Sequence, residues 1–410
     1  MPGGSVYLDN AATSWPKPAE VGRAMSEFLA SSAGNPGRGG HALARAAAEP
    51  IESVRESLGS MLKSPCPNRV VMTGGCTDSV NLALHGVLRG TLRSCGEMKP
   101  SVITTVAEHN AVLRTLHCYQ TQGEIDLRIV PTDGRGLVDP KELISHVTDC
   151  TVLVCVTHAS NAMGTIQPVA EIGRRLRAAN PRALFFVDAA QTVGHMPVDV
   201  EAEAIDLLAI AGHKGLLGPT ATGALYVGPR AFEDGEEGRL FCQRRGGTGA
   251  RAEGLEMPNV LPDALEAGTS NAVGFAGLAA ALESAPAARH VVEARHTGRI
   301  MQALSALEGV TIYGPTSGDP RTPVVLFNIA GRDAREVGCE MDSRFDVCVR
   351  GGTHCAPLLH QHIGTGQERD RAAEAGGVRV SPGCYTSDDD VDRFLAAAKS
   401  LAEEAVLAGR

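Results

Sequence analysis

Aromatic side chains are scarce in this chain: 1 Trp, 5 Tyr and 9 Phe among 410 residues. Surfaces that stack nucleobases interleave aromatics with basic residues, and no stretch of the chain does so. Positive charge is also in deficit. The 38 Lys and Arg stand against 47 Asp and Glu, a formal net charge of −9, which argues against nucleic acid or an anionic membrane as principal partner. No apolar run reaches the length of a membrane-spanning helix. The opening Met1-Pro-Gly-Gly-Ser lacks the basic flank and apolar core of a secretory signal. The 11 cysteines are odd in number and scattered, and no two are spaced as CxxC. Neither a disulfide framework nor a zinc site of the usual spacing is therefore expected. These absences together lead us to expect a reduced, cytoplasmic protein.

What is present is the alternation of an α/β protein, in a chain long enough for one large domain and a smaller one. A short strand at Val6-Tyr-Leu runs into a polar turn, and a glycine-rich loop covers 31–40. Further strands are expected over 70–73, 102–106, 128–130, 152–157, 184–188, 207–211 and 224–227. Helices are expected over 19–29, 45–61, 80–88, 110–122, 140–146, 169–179 and 200–204. Short β-branched strands separated by amphipathic helices imply a mostly parallel sheet covered on both faces. An irregular stretch, 232–263, precedes an alanine-rich helix over 273–282. From 285 the pattern changes to α+β. It has helices through 301–307 and over 334–341 and 387–407, and strands over 310–313, 324–329, 347–350 and 378–380. The expected division is 1–284 and 285–410, with the first thirty or so residues packed on the smaller part.

In open parallel sheets ligands sit at the carboxyl ends of strands. His109, Asn161, Asp188, Gln191, His213 and Lys214 all fall at or just after such an end. Lys214 follows the apolar run Leu207-Leu-Ala-Ile-Ala and is bounded by Gly212, Gly215, Gly218 and Pro219. Desolvation there disfavours the ammonium and leaves an amine fit for Schiff-base chemistry. Asp188 closes Phe185-Phe-Val, where a buried carboxylate needs a cation or donor, such as a protonated pyridine nitrogen; capping the next segment is the plainer explanation. Gly74-Gly75-Cys76-Thr77 joins a strand to a helix start, which suits a phosphate or an ordinary capped connection equally. His109 fits ring stacking, proton transfer or a structural role. Cys355, in Arg350-Gly-Gly-Thr-His-Cys-Ala-Pro, has the accessible, electropositive setting that favours a thiolate. Arg379, inside Val378-Arg-Val, reads either as a clamp on a substrate carboxylate or as an outward arginine on an edge strand. Zinc held by Cys348, His354 and Cys355 has no evident fourth ligand.

With these residues in place the chain resembles the class V aminotransferase family of fold-type I pyridoxal-phosphate (PLP) enzymes. Within it, the chain is similar to cysteine desulfurases and selenocysteine lyases with a short active-site cysteine loop. The resemblance is carried by Tyr7-Leu-Asp-Asn-Ala-Ala-Thr, Gly75-Cys-Thr, Glu108-His-Asn, Ser160-Asn-Ala-Met-Gly, Asp188-Ala-Ala-Gln, Gly212-His-Lys, Glu266-Ala-Gly-Thr, Thr353-His-Cys-Ala and Arg379-Val-Ser-Pro. It implies a large domain with a mostly parallel, seven-stranded-type sheet and a smaller α+β C-terminal domain. It implies Lys214 as Schiff-base lysine and proton-transfer base, Asp188 on the pyridine nitrogen, Gln191 on the phenolic oxygen and His109 stacked on the ring. Asn161 would touch cofactor or substrate. Cys76, Thr77 and His213 would hold the phosphate, with Thr269 reaching it from the neighbouring subunit of a homodimer. Arg379 would take the substrate carboxylate, with Asn161, His354 and Arg350 also on the substrate side.

The implied reaction converts L-cysteine to L-alanine with a persulfide on Cys355, passed to a sulfur-acceptor protein or thiol. Either His354 or Arg350 would favour the Cys355 thiolate. Iron–sulfur cluster assembly, tRNA thiolation and a specialised pathway stay open as destinations of the sulfur. Two departures stand out, Cys76 where relatives often have Thr and Ala211 where they often have a hydroxyl residue. Selenocysteine as substrate, a C–S lyase, epimerase or aminotransferase-like activity, and a catalytically silent scaffold are the alternatives.

Overall fold

Burial alternates residue by residue inside the central strands. Along 184–188, Phe185 and Val187 enter one apolar core while Leu184 and Phe186 enter another. Along 151–157, Val154 and Val156 separate from Leu153 and Cys155 in the same way. Strands apolar on both faces must be sandwiched, which is the position parallel strands require.

The computed structural model describes residues 4–37, 40–96, 98–233, 239–248, 254–366 and 376–408. The chain enters through β1 (Val6–Tyr7), α1 (Ala19–Ser31) and α2 (Ala42–Met61). The large sheet comprises β2 (Val70–Thr73), β3 (Ser101–Thr105), β4 (Asp126–Val130), β5 (Thr151–Thr157), β6 (Leu184–Asp188), β7 (Leu207–Ala211) and β8 (Gly223–Val227). Their spatial order is β2-β8-β7-β6-β5-β3-β4. Neighbours are parallel from β7 to β4, and β8 is antiparallel to both β7 and β2. On one face α3 (Cys76–Ser94) and α4 (Asn110–Thr121) contribute Val80, Leu84, Val112 and Leu116 to the core. On the other, α2, α5 (Pro140–Ser145), α6 (Val169–Ala179) and α7 (Ala272–Ser284) contribute Val54, Leu143, Ile172 and Phe275.

The rest of the chain forms α8 (Arg289–Ser305), β9 (Val310–Tyr313), β10 (Val325–Ile329), α9 (Ala334–Phe345), β11 (Val347–Cys348), β12 (Arg350–Gly352), α10 (Pro357–His362), β13 (Gly377–Val380) and α11 (Asp388–Ala408). An antiparallel sheet of order β12-β13-β10-β9 packs its Phe327 and Val378 with Ile300, Val337 and Phe394. The N-terminal β1 joins this region, pairing in parallel with β11 and sending Val6 and Leu8 into the same core, whereas α1 packs instead on α7, with Phe28 in the large-sheet core.

Three expectations need correction. Residues 200–204 form a turn, not a helix. The Ile205 amide donates to the Val200 carbonyl at 2.9 Å, and Ala204 takes the left-handed conformation at φ 54°. Asp199 Oδ1 accepts from the Ala202 amide at 2.9 Å, but five residues are too few to repay helix nucleation even with that cap. The expected strand 347–350 is two strands, because β11 bonds to β1 while β12 bonds to β13. The helix expected from 80 starts at Cys76, where Asp78 accepts from the Gly74 amide at 2.9 Å and secures the first turn. Among the described residues no helix is long and apolar enough to cross a membrane.

Candidate active site

The carboxyl ends of β5, β6 and β7 open into a cavity of about 340 Å³, closed on its far side by the β12–α10 turn. Lys214, Asp188, Gln191, His109, Asn161, Cys76, Thr77, His213, Arg350, His354, Cys355 and Arg379 all line it. Of the expected site residues only Thr269 lies elsewhere. It is exposed, in an adjoining cavity of about 500 Å³ beside Gly74 and Asp78.

Lys214 sits in the turn between β7 and β8. A Cβ on Gly212 would come within 2.3 Å of the Thr222 hydroxyl, so only glycine lets the two strands close here. The carbonyl of His213 is gripped by the N-terminal turn: the Ser14 amide donates at 3.0 Å, the Thr13 hydroxyl at 3.1 Å and the Lys17 ammonium at 2.8 Å. Burial pushes the Lys214 amine below the usual lysine value, against the opposing pull of Cys76 and Asp188. Burial, with Lys214 and Lys17 beside it, brings His213 to about 4, so its ring is neutral. Lys17 itself is lowered to about 8 by burial. Sequence reasoning missed Lys17, which bonds the His213 carbonyl, and Thr157 and Thr220, which line the cavity.

Asp188 is buried, and its Oδ1 accepts from the Ala190 amide at 3.0 Å and the Cys76 thiol at 3.4 Å. No described residue donates to Oδ2. The capping explanation and a ligand role are thus compatible, one per oxygen. The Cys76 side chain turns to Asp188, so what this position can offer a phosphate is the backbone N–H at the uncapped start of α3. Burial and the nearby carboxylate push its thiol well above the ordinary range.

His109 caps α4, its Nδ1 accepting from the Ala111 amide at 3.0 Å, so the proton sits on Nε2. Burial keeps the ring below its ordinary pKa. Gln191 donates from Nε2 to the Ala11 carbonyl at 2.9 Å. Arg379 is 1% exposed on β13, between β12 and β10, so it is not an outward arginine on an edge. It donates to the Asn161 carbonyl at 2.9 Å and to Asp9 Oδ1 at 2.5 Å, while Nε has no partner.

The Cys355 turn is strained: His354 and Cys355 are both left-handed, at φ 52° and 59°. The Asn110 amide donates to the Cys355 carbonyl at 2.7 Å, and Asn161 Nδ2 donates to the His354 carbonyl at 2.5 Å. His354 does not supply positive charge to the thiol. Burial and the Arg379 guanidinium push it well below the ordinary histidine value. Arg350, exposed at the cavity edge, is the cation of this turn.

A model of the family described as aminotransferase class-V matches residues 6–394. The chain belongs to the class V aminotransferase family. It is 34% identical over 396 residues to a probable cysteine desulfurase of Methanothermobacter thermautotrophicus, covering 94% of this chain and 92% of the relative. It is 30% identical over 400 residues to a cysteine desulfurase of Pectobacterium atrosepticum, covering 95% and 91%. The fold matches the apo cysteine desulfurase of Thermococcus onnurineus NA1 with a TM-score of 0.85 and 30% identity, covering 98% and 95% of the two chains. A cysteine desulfurase of Escherichia coli matches at 0.82 and 27% identity, covering 98% and 96%. The architecture is that of the fold-type I enzymes.

Class V members use PLP, and the cavity suits it on three counts. The first turn of α3 has no side-chain cap, so its amides are open to a phosphate. His213 Nδ1 is buried without a partner. Asp188 keeps one oxygen free for a pyridine N–H. At the other departure, Ala211 is buried at the end of β7, and Thr220 lines the cavity from the loop that follows.

Proposed function

We propose that the protein is a PLP-dependent cysteine desulfurase that converts L-cysteine to L-alanine and carries the released sulfur as a persulfide on Cys355. The observation that carries this reading is the convergence of Lys214, Asp188 and Cys355 on one cavity from β7, β6 and the β12–α10 turn. When bound, PLP supplies an electron sink for the substrate's α-carbon. The open amides of α3, Thr77 and His213 would hold its phosphate, His109 would cover the ring, Gln191 would serve the ring oxygen, and Asp188 would hold the proton on the ring nitrogen. Lys214, with its lowered pKa, takes the α-proton and returns it. Arg379 and Asn161 orient the substrate carboxylate.

The Cys355 thiolate attacks the substrate sulfur. The S–S bond forms as the C–S bond breaks, and the electron pair left on carbon is quenched by a proton, giving alanine. The persulfide then passes to an acceptor thiol, on a carrier protein or a small molecule. We also assign the exposed Thr269 to the phosphate of a second subunit in a homodimer, and a domain boundary near 285, where the N-terminal core gives way to that around Phe327 and Phe394.

The test is a cysteine assay on purified protein with its absorption spectrum, beside Cys355→Ala and Lys214→Ala. Alanine and reducible sulfur in equal amounts, lost in both variants, is the expected result. Pyruvate as product, or indifference to Cys355→Ala, points instead to a lyase or another class V activity. A colourless protein that takes up no PLP removes the enzyme reading.

A further inference from the structure

Behind Cys355 runs a buried chain of side chains that the proposed chemistry does not use. His354 and His360 are 3% and 0% exposed, and Thr365 is buried with them. His354 Nε2 lies 3.0 Å from the Arg350 carbonyl oxygen, His354 Nδ1 lies 3.3 Å from His360 Nε2, and His360 Nδ1 lies 2.8 Å from the Thr365 hydroxyl. Only one assignment of protons satisfies all three contacts. A carbonyl accepts only, so His354 Nε2 carries the hydrogen and Nδ1 is the acceptor. His360 must then donate from Nε2, which leaves its Nδ1 to accept from Thr365. The hydrogen bonds point one way, from Thr365 through His360 and His354 to the Arg350 backbone. Both rings stay neutral, because burial brings His360 to about 4 and holds His354 well below the ordinary histidine value.

The far end of this chain holds the two ends of the strained turn together. Arg350 begins it on β12, and His354 with Cys355 forms its left-handed apex. Two consecutive non-glycine residues in that conformation are unfavourable, so the turn persists only where its surroundings hold it. Asn110 and Asn161 secure the carbonyls of Cys355 and His354 from the large-sheet side. The His354 ring secures the other side, and its tautomer depends on what His360 donates. Without that donor His354 Nδ1 is a buried orphan acceptor. The alternative tautomer would set a lone pair against the Arg350 carbonyl.

We propose that His360 is a positioning residue: by donating to His354 it fixes the turn that keeps the Cys355 thiol in the Lys214 cavity. This rests on the reading of Cys355 as the sulfur acceptor. Neither His360 nor Thr365 lines that cavity.

The experiment compares His360→Phe, which keeps a ring but has no donor, with His360→Gln, which keeps a donor and an acceptor. Steady-state alanine formation from L-cysteine is measured together with iodoacetamide alkylation of Cys355, followed by peptide mass spectrometry. Holding reacting atoms in place is worth orders of magnitude in rate, so His360→Phe should lower kcat about tenfold or more. KM for cysteine and the cofactor absorption should stay near wild type. Cys355 alkylation should quicken as the turn relaxes toward solvent, and His360→Gln should recover most of both. Wild-type kcat and alkylation in His360→Phe would overturn the proposal, as would a Gln variant no better than Phe at equal thermal stability. If His360→Phe does not fold, Thr365→Val removes the last donor more gently. It should shift both measurements the same way, and no shift overturns the proposal. Cys355→Ala run alongside separates the two readings. Retained desulfuration there sinks the role of Cys355 itself, whereas its loss beside a wild-type His360→Phe sinks only the positioning role.

Discussion

Glu108 is a buried carboxyl group with no counter-ion among the described residues, one residue before His109. Its Oε1 accepts from the Thr105 hydroxyl at 2.8 Å and the Thr157 amide at 2.9 Å, while Oε2 has no partner. Burial raises its pKa from the ordinary 4.5 to about 8, with Asp188 adding to the rise. The sign follows from linkage. Between those values the folded protein holds a proton that the unfolded chain has released, so this group's contribution is complete below 4.5 and is lost as pH climbs through about 8. The slope is at most about 1.4 kcal/mol per pH unit. Glu108→Gln, which mimics the protonated form, should therefore gain stability over wild type at pH 8 and little at pH 4.5. Urea unfolding of both proteins at the two pH values measures this, and an equal difference at both would refute it.

At the scale of elements, the loop that carries Thr269 is pinned to the large sheet by a partly buried ion pair. Arg55 on α2, 1% exposed, donates to Glu266 Oε1 at 2.8 Å and to Oε2 at 3.1 Å, and the same carboxylate accepts from the Met72 amide of β2 at 2.6 Å. Arg55 also donates to the Val70 carbonyl at 2.5 Å. Removing one member strands the other's charge in a poorly solvated place. Arg55→Met should cost roughly 3 kcal/mol in denaturant unfolding, and adding Glu266→Gln should return a good part of it. A single variant as stable as wild type would show that the pair does not hold this loop. Here the sequence is mute, since an Arg at 55 and a Glu at 266 carry no local sign of meeting.

At the scale of the whole molecule, the proposed dimer has a test that a single chain cannot imitate. Lys214→Ala and Thr269→Val are each made as homodimers and then exchanged into mixed dimers. If Thr269 serves the other subunit, the site with an intact lysine receives an intact threonine, and one good site per mixed dimer appears. If Thr269 serves its own subunit, both sites stay impaired. Cofactor affinity by absorbance titration, alongside alanine formation, distinguishes the two outcomes.

Local pattern alone was enough to place the large sheet, because a strand's apolar period and a lysine or aspartate at its end are properties of neighbours in the chain. Leu207 to Lys214 and Phe185 to Asp188 are read that way, and both residues line the cavity. Burial set by distant segments was beyond such reading. Whether Arg379 points to solvent depends on β12 and β10 closing over β13. The direction of the Cys76 thiol depends on β6, and the neutrality of His354 depends on its burial and on the Arg379 guanidinium brought in by β13. Residues 200–204 have helical composition, yet the backbone closes there into a left-handed turn. Sequence determined which groups stand at strand ends. Tertiary structure decided which of them meet, how dry they are, and so which can carry charge.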